Sequence, residues 1–157
     1  MIIVCFLTVV AVAGIDLGIK QYVEKYVKKE EERSIWRKRG ILRKVHNRGM
    51  MMNRLEQHPL FVQLASVFAG GVLLICQAAL LKKPGQEKEK LGLALMTAGA
   101  ISNTYDRLRR GYVVDYMAVK TRHKKITDLT FNLADISIFA GAVLALFGAF
   151  TGGKGGK

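Results

Sequence analysis

Phe139-Ala140-Gly141-Ala142-Val143-Leu144-Ala145-Leu146-Phe147 and Leu73-Leu74-Ile75-Cys76-Gln77-Ala78-Ala79-Leu80-Leu81 decide what solvent this chain folds in. Each lies within a longer apolar stretch, residues 131 to 150 and 60 to 81, and the two stretches together carry one charged side chain, Asp135. A helix that crosses a bilayer needs roughly 20 mostly apolar residues, so both stretches predict membrane spans. Small residues at Gly70, Gly71 and Gly141 would let such helices approach closely.

Two further spans follow outward from these, residues 1 to 19 and 91 to about 108. Ala11-Val12-Ala13 in the first resembles the small-residue site that ends a secretory signal peptide. No Lys or Arg precedes the run, however, and Asp16 and Lys20 follow at a helical i,i+4 spacing, so the helix is expected to continue past that site. In the third, Leu91 to Ile101 is apolar before Asn103, Asp106 and Arg107 mark the interface. The expectation is an all-α membrane protein of four transmembrane helices in one integral-membrane domain, residues 1 to 157, with excursions at 20 to 59 and 109 to 130.

Half of the 157 residues are hydrophobic and the formal net charge is +13. A balance that basic fits nucleic acid or an anionic lipid surface, but segregation of the apolar residues into long runs favours membrane and excludes a nucleic-acid reading. Residues 20 to 59 carry 12 of the 25 Lys and Arg, and residues 104 to 130 carry 7. Taken alone, the positive-inside rule would make those two excursions cytoplasmic. Residues 20 to 40 read as a mixed-charge helix with a Glu24–Lys28 pair, ending at Gly40. Ile41 to His46 then reads as a strand entering an Asn47-Arg48-Gly49 turn. Met50, Met51 and Met52 fill core gaps or line an apolar surface. Cys5 and Cys76 lie inside apolar runs without a CxxC spacing, which predicts buried structural thiols. His46, His58 and His123 are scattered without ligand spacing, so no metal is expected, and there is no GxSxG or phosphate-binding glycine loop.

Carboxylate chemistry remains. Asp115, in Val113-Val114-Asp115-Tyr116, stands beyond the third span, and Asp135, in Phe131-Asn132-Leu133-Ala134-Asp135, stands about one turn into the fourth, with Asn132 on the same helical face. An ionisable side chain at membrane depth is costly and persists where it pairs, relays protons or does chemistry. Both carboxyls belong to the same membrane surface. Two that meet share one proton, and one can activate water while the other polarises a carbonyl. The plainer alternative makes Asp135 a helix cap and Asp115 an ordinary loop residue.

Five elements in order carry a resemblance: Asp16 with Lys20 (D-x-x-x-K), Asn47-Arg48-Gly49 (N-x-G), Asn103-Thr104-Tyr105-Asp106-Arg107 (N-x-x-D-R), Gly111 to Tyr116 (G-x-V-x-D-F) and Phe131 to Asp135 (F-N-x-A-D). The chain resembles the lipoprotein signal peptidase (signal peptidase II) family over nearly its whole length. That resemblance implies an inner-membrane aspartic endopeptidase that removes the signal peptide from diacylglyceryl-modified prolipoproteins, cutting before the lipidated cysteine. It implies Asp115 and Asp135 as the dyad. Asn47, Asn103, Arg107 and Asn132 would position substrate and dyad, with Asp16, Lys20, Gly49 and Asp106 in the supporting set. It also implies an N-in, C-in orientation, a site toward the outer leaflet, a small extracytoplasmic β-cradle and a short periplasmic helix. The implied enzyme is a monomer in contact with phospholipid and takes no cofactor. The chain departs from the family pattern at Ser102, where glycine is usual, and at Met50 to Met52. Those departures keep open a catalytically silent lipopeptide binder; a small proton-coupled transporter is the other rival.

Overall fold

The computed structural model describes residues 1–49 and 55–152, so Met50 to Met52 and the end of the glycine-lysine tail lie outside the described residues. In chain order the elements are α1 (Ile2–Tyr26), β1 (Arg33–Ile35), β2 (Gly40–Asn47), α2 (Pro59–Leu81), α3 (Glu87–Arg110), β3 (Val113–Val119), α4 (Lys124–Thr127) and α5 (Leu133–Gly152). Among the described residues three helices are long and apolar enough to cross a membrane: Ile2–Tyr26, Pro59–Leu81 and Leu133–Thr151. Their outer faces are those of a protein solvated by hydrocarbon, with Ile3, Phe68, Ile75, Phe139 and Phe150 all more than 70% exposed. Cys5 is buried as expected, but Cys76 is on that outer face, which corrects its reading as a buried thiol.

Helix α3 inverts the pattern. It packs against α1, α2 and α5 and buries Thr97, Ser102, Asn103 and Asp106. Glu87 and Glu89 in its first turn and Arg107, Arg109 and Arg110 in its last complement the helix dipole. Close approach to α5 depends on glycine: a Cβ on Gly92 would stand 2.6 Å from the Gly141 carbonyl oxygen, and one on Gly99 would stand 2.7 Å from Ile138 Cγ1 and collide with the Ala134 carbonyl. Gly141 thus packs as expected. Gly71 has open space around it and Gly70 meets only Thr104 Oγ1 at 3.9 Å, so those two do not mediate close packing.

Residues 20 to 40 do not form one helix. Helix α1 stops at Tyr26, and Val27 is extended at φ −105° and ψ 125°. Val23 and Val27 pack instead with Val114 and Tyr116, against Leu42 and Met117 of the sheet. An i,i+4 charge pair contributes only about 0.2–0.5 kcal/mol, too little to compete with burying two valines. Glu24, expected to pair with Lys28, takes the Tyr112 hydroxyl at 3.1 Å and His46 Nε2 at 3.0 Å. Gly40, read as a helix end, opens β2: Trp36, Arg37 and Lys38 turn the chain at φ of 50°, 55° and 69°, and the Trp36 ring lies where a Cβ on Gly40 would be.

The sheet is antiparallel in the order β1-β2-β3. Strand β2 was expected; β3 was not, and it joins because its edge pairs with β2, Val45 opposite Asp115 and Asn47 opposite Val113. Gly111, at φ 78° and with its N–H on the Arg107 carbonyl at 3.1 Å, ends α3 and starts the approach to β3. Phe131 then pairs with Met117, two 2.8 Å backbone bonds that deliver the chain to α5 beside the strand carrying Asp115.

Candidate active site

Asp115 is buried on β3, and both of its oxygens are occupied: Asn132 Nδ2 donates to Oδ1 at 2.7 Å and Asn47 Nδ2 donates to Oδ2 at 3.0 Å. Asn47 can do this because its own turn is closed locally, the Gly49 N–H donating to Asn47 Oδ1 at 3.2 Å. Asp135 sits in the first turn of α5. Asn103 Nδ2 donates to its Oδ1 at 2.9 Å and the Asn132 N–H to its Oδ2 at 3.2 Å.

Asn132 therefore serves both carboxyls. It precedes α5 rather than sharing its helical face, and its Oδ1 accepts the Asp135 N–H at 2.9 Å, a reciprocal helix cap. Capping is thus one of Asp135's roles, and the same asparagine's amide nitrogen reaches the other aspartate. Burial, and after it the charge of Asp135, pushes the Asp115 carboxyl up to about 7 from an ordinary 3.8, against the lowering effect of the Asn47 and Asn132 donors.

Beneath the pair lies a buried charge network. Lys20, with no exposed surface, donates to Asp16 Oδ2 at 2.7 Å and to Asn103 Oδ1 at 2.7 Å, and lies 3.5 Å from Asp106 Oδ2. Asp106 in turn accepts the Val114 N–H at 3.1 Å and Arg110 Nη1 at 2.8 Å, fixing β3 to α3. Asp16 accepts the Tyr116 hydroxyl at 2.8 Å and the Leu133 N–H at 3.0 Å, tying α1 to β3 and to the start of α5. Removing one partner from such a network costs about 3–5 kcal/mol because a charge is left alone in low dielectric. Arg107 Nη2 donates to the Gly49 carbonyl at 3.1 Å, while its buried Nε has no hydrogen-bond partner among the described residues.

All ten residues singled out from the sequence thus lie in one connected assembly. Two members were missed. Tyr116 entered only as the last residue of the Gly111-to-Tyr116 element, yet a buried tyrosine hydroxyl needs a partner, which here is Asp16. Ser102 entered only as a departure from the family's usual glycine, but its hydroxyl donates to Asp16 Oδ2 at 2.6 Å and accepts from Lys20 at 3.1 Å. Among the described residues no three His, Cys, Asp or Glu side chains gather as an ion site. A groove lined by Lys29, Glu31, Arg43, Lys44 and Asp128 excludes both aspartates and has mixed charge.

The family model described as signal peptidase (SPase) II matches residues 8–151. A lipoprotein signal peptidase of Lactiplantibacillus plantarum is 32% identical over 139 residues, covering 88% of this chain and 89% of that protein. One of Caldanaerobacter subterraneus subsp. tengcongensis is 35% identical over 100 residues, covering 64% of this chain and 63% of the relative, so the chain spans under two thirds of that relative's length in the match. In fold, the chain is similar to a solved bacterial membrane enzyme, with a TM-score of 0.83 at 21% identity over 100% of this chain and 93% of the other. The match runs through every element that builds the site, and the chain belongs to the signal peptidase II family.

Proposed function

We propose that the protein is an intramembrane aspartic endopeptidase that removes the signal peptide from diacylglyceryl-modified prolipoproteins, cutting before the lipidated cysteine. The observation that carries this is the sharing of Asn132 between two carboxyls, one on β3 and one on α5, each also held by a second asparagine. The charge of Asp135 opposes ionisation of Asp115, so the two titrate as a pair. In hydrolysis the ionised member takes a proton from water as the water oxygen attacks the scissile carbonyl. The protonated member donates to the carbonyl oxygen, and the departing amine leaves with the proton taken from water. Arg107, whose Nε has no partner among the described residues, is suited to hold a peptide carbonyl of the substrate.

The same reading makes α3 a fourth span. At 24 residues and about 1.5 Å per residue it reaches roughly 36 Å, more than the roughly 30 Å hydrocarbon core, and Thr97, Ser102, Asn103 and Asp106 along it are buried against protein rather than lipid. The chain is then one membrane domain, a monomer, with both termini inside and the sheet and α4 at the outer leaflet, as cradle and short periplasmic helix. The basic excursions oppose this orientation by charge bias. Yet Lys20, Arg33, Arg43 and Arg110 are engaged in ion pairs within the fold, and exposed Lys28, Lys29, Arg37, Lys38, Lys120 and Arg122 can meet anionic headgroups. The substrate's acyl chains stay in lipid while its cysteine reaches the aspartates. The silent-binder alternative leaned on Ser102 and on Met50 to Met52; the Ser102 hydroxyl is absorbed in hydrogen bonds, and the three methionines lie outside the described residues. A transporter leaves the three asparagine amides without a purpose.

Incubation of the purified protein with a diacylglyceryl prolipoprotein peptide is expected to yield a product beginning at the lipidated cysteine. Binding of the peptide without cleavage would favour the silent relative. Proton-coupled flux in sealed vesicles without cleavage would favour the transporter.

A further inference from the structure

Resting on the reading of Asp135 as half of the reacting pair, we infer that Ser102 is a positioning residue for it, acting through Lys20 and Asn103. An ammonium group carries three protons and can only donate. On Lys20 they go to Asp16 Oδ2 at 2.7 Å, Asn103 Oδ1 at 2.7 Å and Ser102 Oγ at 3.1 Å. The bond to Asn103 determines that amide's orientation: its oxygen must face Lys20, so its nitrogen faces Asp135, donating at 2.9 Å. Ser102 secures the arrangement from both sides, since its hydroxyl proton goes to Asp16 at 2.6 Å while its oxygen receives Lys20.

Without that hydroxyl, one Lys20 proton has no partner in hydrogen-bonding range. The nearest remaining acceptor is Asp106 Oδ2 at 3.5 Å, and closing on it draws the ammonium away from its present seat on Asn103. Asn103 is then free to rotate, and Asp135 loses the donor that favours its ionised form. The charged and titratable groups bearing on this chain are Asp16 and Lys20 from α1, Asp106 and Arg107 from α3, and Asp115 and Tyr116 from β3. A change at position 102 replaces none of them, but it removes one hydrogen bond from each of Asp16 and Lys20. The position is fully buried, and its side chain is small enough for truncation to leave little void.

The test is the pH profile of kcat for cleavage of a diacylglyceryl prolipoprotein peptide by the wild type, Ser102→Ala and Ser102→Gly. Both variants should show kcat lower by roughly three- to tenfold, KM within about twofold, and an acid limb moved to higher pH. A purely structural role predicts something different: alanine, the better helix former, equals or exceeds the wild type, glycine alone is impaired through lower stability, and neither moves the acid limb. Glycine, usual at this place in the family pattern, guards against a variant that does not fold. If the wild type cleaves and both variants keep its profile, the positioning role is wrong while the proposed function stands. If the wild type does not cleave, both fall.

Discussion

At the scale of single residues, Asp115 combines two costs: it is buried, and it faces a second carboxyl. Below an ordinary carboxylate value of 3.8 it is protonated whether the chain is folded or not, so burial costs it nothing. As pH rises toward about 7 the unfolded chain releases a proton that the folded one retains, and above that the folded state must hold the charge. Stability is therefore lost as pH rises through that window, by roughly 4 kcal/mol at most. Asp115→Asn cannot titrate, so its thermal stability relative to the wild type should improve steadily from pH 4 to pH 8; a difference flat across that range would refute the burial argument. Asp115 and Asp135 stood out because ionisable side chains beside apolar runs need a reason to be there, while the other eight site residues came from the ordered motifs of the family resemblance. The role of Ser102 was not legible, since a sequence shows the added Cβ but not the two charged partners that the hydroxyl serves.

At the scale of elements, the site is where a strand, a helix start and a central helix converge, and the α3–α5 contact sets that convergence. Gly99 lies against Ala134, one residue from Asp135. Gly99→Val should push the start of α5 outward, lowering cleavage at least tenfold and thermal stability by a few kcal/mol, since overpacking against backbone has no cheap relief. Unchanged activity with unchanged stability would show that this contact does not position Asp135. Strand β2 could be read from Ile41 to His46, but β3 could not: Val113 to Tyr116 is a short apolar run whose state depends on a partner far away in sequence. The helix expected over residues 20 to 40 failed for the reverse reason, its local charge pairs being weaker than the burial of Val23 and Val27 against that same unseen strand.

For the whole molecule, the spans at 60 to 81 and 131 to 150 were plain in the sequence because their side chains face lipid and their apolar character is continuous, while the first had to be read against a signal-peptide alternative. Helix α3 was harder to read because it is wrapped by the other three and turns Thr97, Ser102, Asn103 and Asp106 inward; its composition reports its neighbours rather than the bilayer. Orientation was the least legible feature, the charge bias and the site chemistry pointing opposite ways. Arg122→Cys, in a background with Cys5 and Cys76 replaced by serine, should react with a membrane-impermeant thiol reagent added to the outer face of intact cells. Reaction only after the inner face is opened would invert the topology. The claim beneath all of this is that Asp115 and Asp135 act together, and the most direct measurement is cleavage of a diacylglyceryl prolipoprotein peptide by purified, folded Asp115→Asn and Asp135→Asn beside the wild type. The account predicts product from the wild type and none from either variant; product from either one at a rate near that of the wild type would contradict it.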